Sequence, residues 1–199
     1  SRPMSRIDPK VMTVRGPVAP AELGLTSLHE HILCDLSACY RDRFRKILPA
    51  EMEMPDGPFG LEERSTLRHA MLLSSSNLRL DDERVMTAEV ADFAAAGGGA
   101  IVETGSPGIR TGDDVMAFAR MSEATGVHIV ACTGLYAEDS WPEHFRGLSE
   151  AKYADYLCGE IASGIGGSGI LPGQIKVAYE GRSADADAYL RAAARVSRE

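Results

Sequence analysis

Apolar positions along the chain fall into short β-rich runs, each passing through polar or glycine residues into a stretch with helical spacing. The first run is Ser27 to Cys34. A helix opens after Leu80 with Asp81 as its expected N-cap, carries Met86, Val90, Phe93 and Ala94 on one face, and stops at Gly97-Gly98-Gly99. Ala100 to Thr104 reads as the next strand, followed by a helix from about Gly112 through Val115, Phe118, Ala119 and Ser122 to Gly126. Val127 to Cys132 is a third strand, and a helix from about Ser149 to Ser163 presents Tyr153, Leu157 and Ile161. The glycine-rich stretch Gly164 to Gly169 precedes a strand and lacks the Lys-Ser/Thr of a phosphate-binding loop, so it reads as a linker. Gln174 to Ala178 is the fourth strand, and Ser183 to Glu199 an Ala-rich helix with Leu190, Ala193, Ala194 and Ser197 on one face.

Strands near residues 28, 101, 129 and 175 thus make four β/α units, the first carrying a long insertion at about 38–80. A (β/α)8 barrel needs about 250 residues, and an open sheet of four parallel strands leaves two unpaired edges. The chain, residues 1–199, therefore reads as the N-terminal half (strands 1–4) of a single TIM barrel of the α/β class. A doubly wound sheet is the alternative, but no phosphate-binding glycine pattern follows a strand.

Composition narrows the function. With 199 residues, 44% of them hydrophobic, the chain can build one sizeable core. A formal charge of -8 and no Lys/Arg-rich run argue against nucleic acid as a partner. No stretch has the roughly 20 apolar residues of a membrane helix, and the start has no signal-peptide pattern, so a cytoplasmic location is expected. Cys34, Cys39, Cys132 and Cys158 show no paired spacing and read as buried free thiols.

The chemistry centres on His29-Glu30-His31. On a helix, positions i and i+2 diverge by about 200° and cannot share an ion, whereas on a strand they face the same side. A strand ending in two parallel imidazoles offers half a metal site, zinc-like ions accepting neutral imidazole nitrogen readily. The other reading is two hydrogen-bonded histidines at a strand end.

Longer matches surround that pair. Thr13-Val14-Arg15-Gly16-Pro17, Glu22-Leu23-Gly24-Leu25-Thr26 and His29-Glu30-His31 follow one another in order, with Gly97 to Val102, Thr133-Gly134-Leu135-Tyr136, Gln174-Ile175-Lys176-Val177 and Ala192 to Arg195 further on. In these segments the chain resembles the phosphotriesterase-like branch of the amidohydrolase superfamily. The resemblance implies a metal-dependent hydrolase with two divalent ions, zinc foremost, at the C-terminal mouth of the barrel. His29 and His31 fall on the family's strand-one ligands and Lys176 on its strand-four lysine. In the family that lysine is carboxylated by carbon dioxide; the carbamate replaces a cation that would repel two metal ions with anionic oxygen ligands. The remaining ligands of the family would lie beyond Glu199. His69, His128 and His144 match no ligand position, and Glu103, at the end of the second strand, is either a site residue or a loop acceptor.

The implied mechanism is attack by a hydroxide bridging two ions, with no protein nucleophile. Tyr136 occupies a position where lactone-hydrolysing members also have tyrosine, and with Trp141 it is expected at the mouth. Arg41, Arg43, Arg45 and Lys46 in the insertion read as a solvated charge run rather than an anion site. A lactone or other carboxylic ester is the expected small-molecule substrate, with phosphotriesters as a promiscuous activity or, alternatively, the true substrate. A homodimer is the family expectation. A reading of another class is a non-catalytic half-barrel that needs a partner chain to cover its edges. A cupin-like site also begins with His-x-His, but Ile32 to Asp35 lacks its glutamate and the helical pattern does not suit that fold.

Overall fold

The strand and helix alternation is realised in the order the sequence sets out. The structure, a computed structural model, describes residues 9–37, 60–61, 64, 67–68, 76–110, 114–181 and 183–198. Most of the insertion, with Arg41, Arg43, Arg45, Lys46, Cys39 and His69, lies outside the described residues.

A hairpin that the periodicity did not predict comes first, β1 (Val11–Thr13) against β2 (Gly16–Val18). Its turn is held by the buried Thr13 hydroxyl donating to the Gly16 carbonyl at 2.7 Å. Val14 N–H donates to Ile129 O at 2.8 Å, tying the hairpin to the third strand near its start. Strand β3 (Leu25–Glu30) follows, and the short pair β4 (Cys34–Asp35) and β5 (Arg79–Leu80) brackets the insertion. Helix α1 (Glu83–Ala95) is capped by Asp82, one residue later than expected, because the Asp82 carboxylate accepts from Val85 N–H at 3.0 Å.

Strand β6 (Gly98–Glu103), helix α2 (Asp114–Thr125), strands β7 (His128–Val130) and β8 (Cys132–Leu135), helix α3 (Glu150–Ser163), strand β9 (Gln174–Val177) and helix α4 (Ala184–Val196) complete the order. The single third strand predicted at Val127 to Cys132 is two pieces: β7 pairs in parallel with β6, and β8 with β9. The changeover falls at Ala131, whose carbonyl accepts from Gly173 N–H at 2.8 Å and so leaves the ladder. With β3 parallel to β6, four consecutive parallel runs stand in chain order, and among the described residues β3 and β9 are edges.

Two clusters of buried side chains hold the layers together. Helices α1 and α2 pack on β6 and β7 through Val90, Phe118, Met121, Ile101 and Ile129. Helices α3 and α4 pack on β8 and β9 through Tyr153, Leu157, Tyr189, Ala192 and Leu135. Here three expectations are corrected. Trp141 does not line a mouth: it is 3% exposed, stacked edge-to-face on Tyr153 and Tyr189, with its ring N–H donating to Tyr136 O at 2.8 Å. Ile161 is 40% exposed. Helix α4 buries Ala186, Tyr189, Ala192, Ala193 and Val196, while Ala194 and Ser197 stay exposed and Leu190 half-buried.

Tyr189 explains that last shift. Its hydroxyl enters the seam between β8 and β9, accepting from Leu135 N–H at 2.8 Å and donating to Lys176 O at 2.5 Å. Gly134, beside it, has a φ of +110°, and a Cβ there would collide with the Lys176 carbonyl oxygen and the Tyr189 hydroxyl. Helix α4 therefore turns to deliver its tyrosine, and its small residues follow that rotation.

A candidate metal centre at the C-terminal ends of the strands

β3 delivers the two histidines through an irregularity. Ser27 stands opposite Ile101 and Glu30 opposite Glu103, so β3 advances by one more residue than β6 over that interval. Such a bulge bends the strand and re-aims side chains. Thr104 N–H and its hydroxyl both donate to Glu30 O, at 2.9 and 3.2 Å, and fix the end of the strand. His29 and His31 lie close together, ring centroids 5.7 Å apart at an interplanar angle of 73°. His29 is exposed, whereas His31 is half-buried.

Burial, then the nearby Lys176 and His29, lower the His31 pKa to about 4. The ring is accordingly neutral at physiological pH, the form in which imidazole offers a lone pair to a metal. Facing it from β6 is Glu103, with its Oε1 4.0 Å from His31 Nδ1. The Glu103 side chain is completely buried, and burial pushes its carboxyl up to about 7 against the opposing pull of the Gly105 N–H and Arg110. Gly105 N–H donates to Oε1 at 2.9 Å. Among the described residues, neither His31 Nδ1 nor Glu103 Oε2 has a hydrogen-bond partner, although both atoms are buried. Buried polar atoms are rarely left without a partner.

Lys176 comes from β9, in register with Gly134 of β8. It is half-buried, which lowers its pKa, while Cys132 and Glu103 act in the opposite direction. Its Nζ stands 5.4 Å from the centroid of the Tyr136 ring, one residue past the end of β8. The structure thus brings His31 near His29 and Lys176, and Lys176 near Tyr136, although β3 and β9 are not paired with each other. His128 and His144 are elsewhere: His128 is at the start of β7 beside Arg15, and His144 is exposed in a short 3-10 turn.

Sequence reading did not single out Arg110. Its Nη1 donates to Gly105 O and Cys132 O, both at 3.3 Å, holding the loop after β6 onto β8 beneath Glu103. A lone arginine in a Gly/Pro-containing loop carries no periodic signal, so only the tertiary contact reveals it.

Among the described residues, no three His, Cys, Asp or Glu gather closely enough to hold a metal ion. Two imidazoles, one of them held neutral, together with a half-buried lysine suit a divalent ion in donor type. They supply part of a coordination sphere rather than a closed one.

Comparison with known proteins identifies the fold and the family. The N-acetyltaurine hydrolase of Tetraodon nigroviridis is 34% identical over 174 residues, which cover 86% of this chain and 48% of that protein. The chain thus spans about half the length of the curated relatives it matches. A resiniferatoxin-binding protein from Rhodobacter sphaeroides has a TM-score of 0.80 at 34% identity, over 94% of this chain and 52% of the other. A lactonase from Listeria monocytogenes shares the fold, with a TM-score of 0.69 at 23% identity, over 96% of this chain and 54% of that one. The four β/α units are accordingly half of a TIM barrel. Residues 9–198 match the Phosphotriesterase family throughout, and the chain belongs to that family.

Proposed function

We propose that the protein is a metal-dependent hydrolase that cleaves a lactone or other carboxylic ester, with phosphotriesters as slower, promiscuous substrates. The observation that carries this reading is the convergence of a neutral His31, His29, Lys176 and Tyr136 at one end of the strands in a chain whose named relatives include hydrolases. His29, His31 and Lys176 would hold two divalent ions, zinc foremost, together with ligands from the other half of the barrel. Bound there, such ions supply Lewis acidity and lower the pKa of water toward neutrality.

The chain's own residues prepare that site. Burial lowers the Lys176 pKa and so raises the share of neutral amine, the species that adds carbon dioxide, losing one proton as the N–C bond of the carbamate forms. Tyr136, an amphipathic ring beside Lys176, can meet an ester's apolar body with its face and the leaving oxygen with its hydroxyl. A small-molecule substrate and a homodimeric assembly belong to the same proposal.

One panel tests it: lactones, carboxylic esters, N-acetyl amino sulfonates and phosphotriesters offered to metal-loaded protein. We expect lactones or esters to be fastest, chelator to abolish turnover, His31→Ala and Lys176→Ala to be inactive, and 13C-bicarbonate to give a carbamate signal that Lys176→Ala lacks. Phosphotriester turnover far above that of every lactone would sink the proposal, as would rates indifferent to chelator. A second reading, cleavage of the amide in an N-acetylated amino sulfonate, is favoured by the 34% identity to an N-acetyltaurine hydrolase, and preferential turnover of that substrate would select it.

A further inference from the structure

Glu103 is a carboxylate in an unusual position. It is fully buried, lies on β6 directly opposite the end of β3, and has one oxygen engaged by Gly105 N–H and the other unpartnered among the described residues. Leaving a charged or polar oxygen buried and unpaired is costly, and an apolar side chain of the same volume would avoid that cost. The fold nevertheless makes room for it: a Cβ at Gly105 would stand 2.7 Å from Glu103 Oε1. Arg110 spends its Nη1 on the Gly105 and Cys132 carbonyls, and Lys176 lies over the Tyr136 ring. His31 Nδ1, buried and also without a partner among the described residues, stands 4.0 Å from Oε1.

We propose that Glu103 is a positioning residue for His31, accepting a hydrogen bond from Nδ1–H and thereby leaving Nε2 as the lone-pair nitrogen for a divalent cation. His31 Nδ1 and Glu103 Oε1, the oxygen that also accepts from Gly105 N–H, reach the 2.7–2.9 Å of a charge-assisted hydrogen bond if the side chains close by roughly 1 Å. The exposure of the His31 side chain, 23%, does not lie at Nδ1, which is buried, so solvent and ligand reach the ring from another side. A carboxylate behind a metal-binding imidazole fixes its tautomer and orientation and makes the ligand more basic. Glu103 does this from a different strand, across the bulge that sets the end of β3. The inference takes its purpose from the metal-hydrolase reading above, but its geometry does not depend on which substrate is cleaved.

The test reads the tautomer first. In 15N-histidine-labelled full chain, metal-free and near neutral pH, long-range 1H–15N spectra should show His31 as the Nδ1–H tautomer. Glu103→Met, which fills the space without an acceptor, should shift His31 toward Nε2–H, while Glu103→Asp retains part of the wild-type signature. Zinc affinity, measured against a competing chelator, should fall about 10–100-fold in Glu103→Gln, with metal-free circular dichroism unchanged. Finding His31 as Nε2–H in the wild type, or finding tautomer and zinc affinity indifferent to all three substitutions, would overturn the proposal. Because the tautomer is read without metal or substrate, a failure of Glu103 is distinguishable from a failure of the hydrolase reading, which shows as absent metal-dependent turnover.

Discussion

The cysteines show how a side chain's surroundings set its chemistry. Cys34 and Cys132 are buried, and burial pushes their thiols up to about 11 and about 12, whereas Cys158 is exposed on α3. The thiolate is the nucleophile, so the first two are protected both sterically and by protonation. Under native conditions near neutral pH a maleimide should label Cys158 quickly and Cys34 and Cys132 only on unfolding, as peptide mass mapping would show. Rapid native labelling of Cys132 would contradict its burial. At this scale spacing alone singles out His29 and His31, a two-residue repeat, whereas Lys176 is singled out only through the family resemblance. Glu103 was only half legible. At a strand end it resembles any loop acceptor, and what distinguishes it, complete burial with an unpaired oxygen, depends on Gly105, Cys132 and His31 being brought to it by other strands.

Helix α4 makes the corresponding point for elements. Its Ala-rich sequence fits a helix in any rotation, and periodicity placed Leu190, Ala193, Ala194 and Ser197 inward; the structure turns it so that Tyr189 reaches the β8/β9 seam. Two hydrogen bonds from one hydroxyl to the main chain of two strands leave no pattern in a hydropathy profile. Tyr189→Phe strips a buried N–H of its acceptor and a buried carbonyl of its donor, at about 1–3 kcal/mol for each group. We expect this variant to fold with a midpoint in chemical denaturation lowered accordingly, and with weaker function, since the bonded carbonyl is that of Lys176. An unchanged midpoint would mean that the seam is not held in this way. The split of the third strand has a similar origin: Ala131 looks like any strand residue until Gly173 claims its carbonyl.

At the scale of the whole molecule, the alternation of strands and helices sufficed to find half a barrel, because each β/α unit is specified locally. The β1–β2 hairpin escaped notice since its three-residue strands are too short to establish a period. The open edges are where this half-barrel meets its surroundings. Leu25 and Leu28 on β3 are 67% and 75% exposed, and beyond β9 a groove is lined by Ile175, Val177, Leu190 and Ala194. Exposed apolar edges promote pairing between chains. In the 199-residue chain, Leu28→Lys should reduce concentration-dependent self-association in sedimentation velocity while leaving the circular dichroism spectrum intact. Association indifferent to that substitution would place the contact elsewhere. Among the described residues no helix is long and apolar enough to cross a membrane.

The close approach of β8 to β9 at Gly134 also bears on inheritance. Any missense codon at that position introduces a carbon where the Lys176 carbonyl and the Tyr189 hydroxyl already stand. A variant there should fail to accumulate as folded protein, which its soluble yield and circular dichroism would show. A glycine with no reactive group of its own thus leaves its codon no missense alternative that spares the seam.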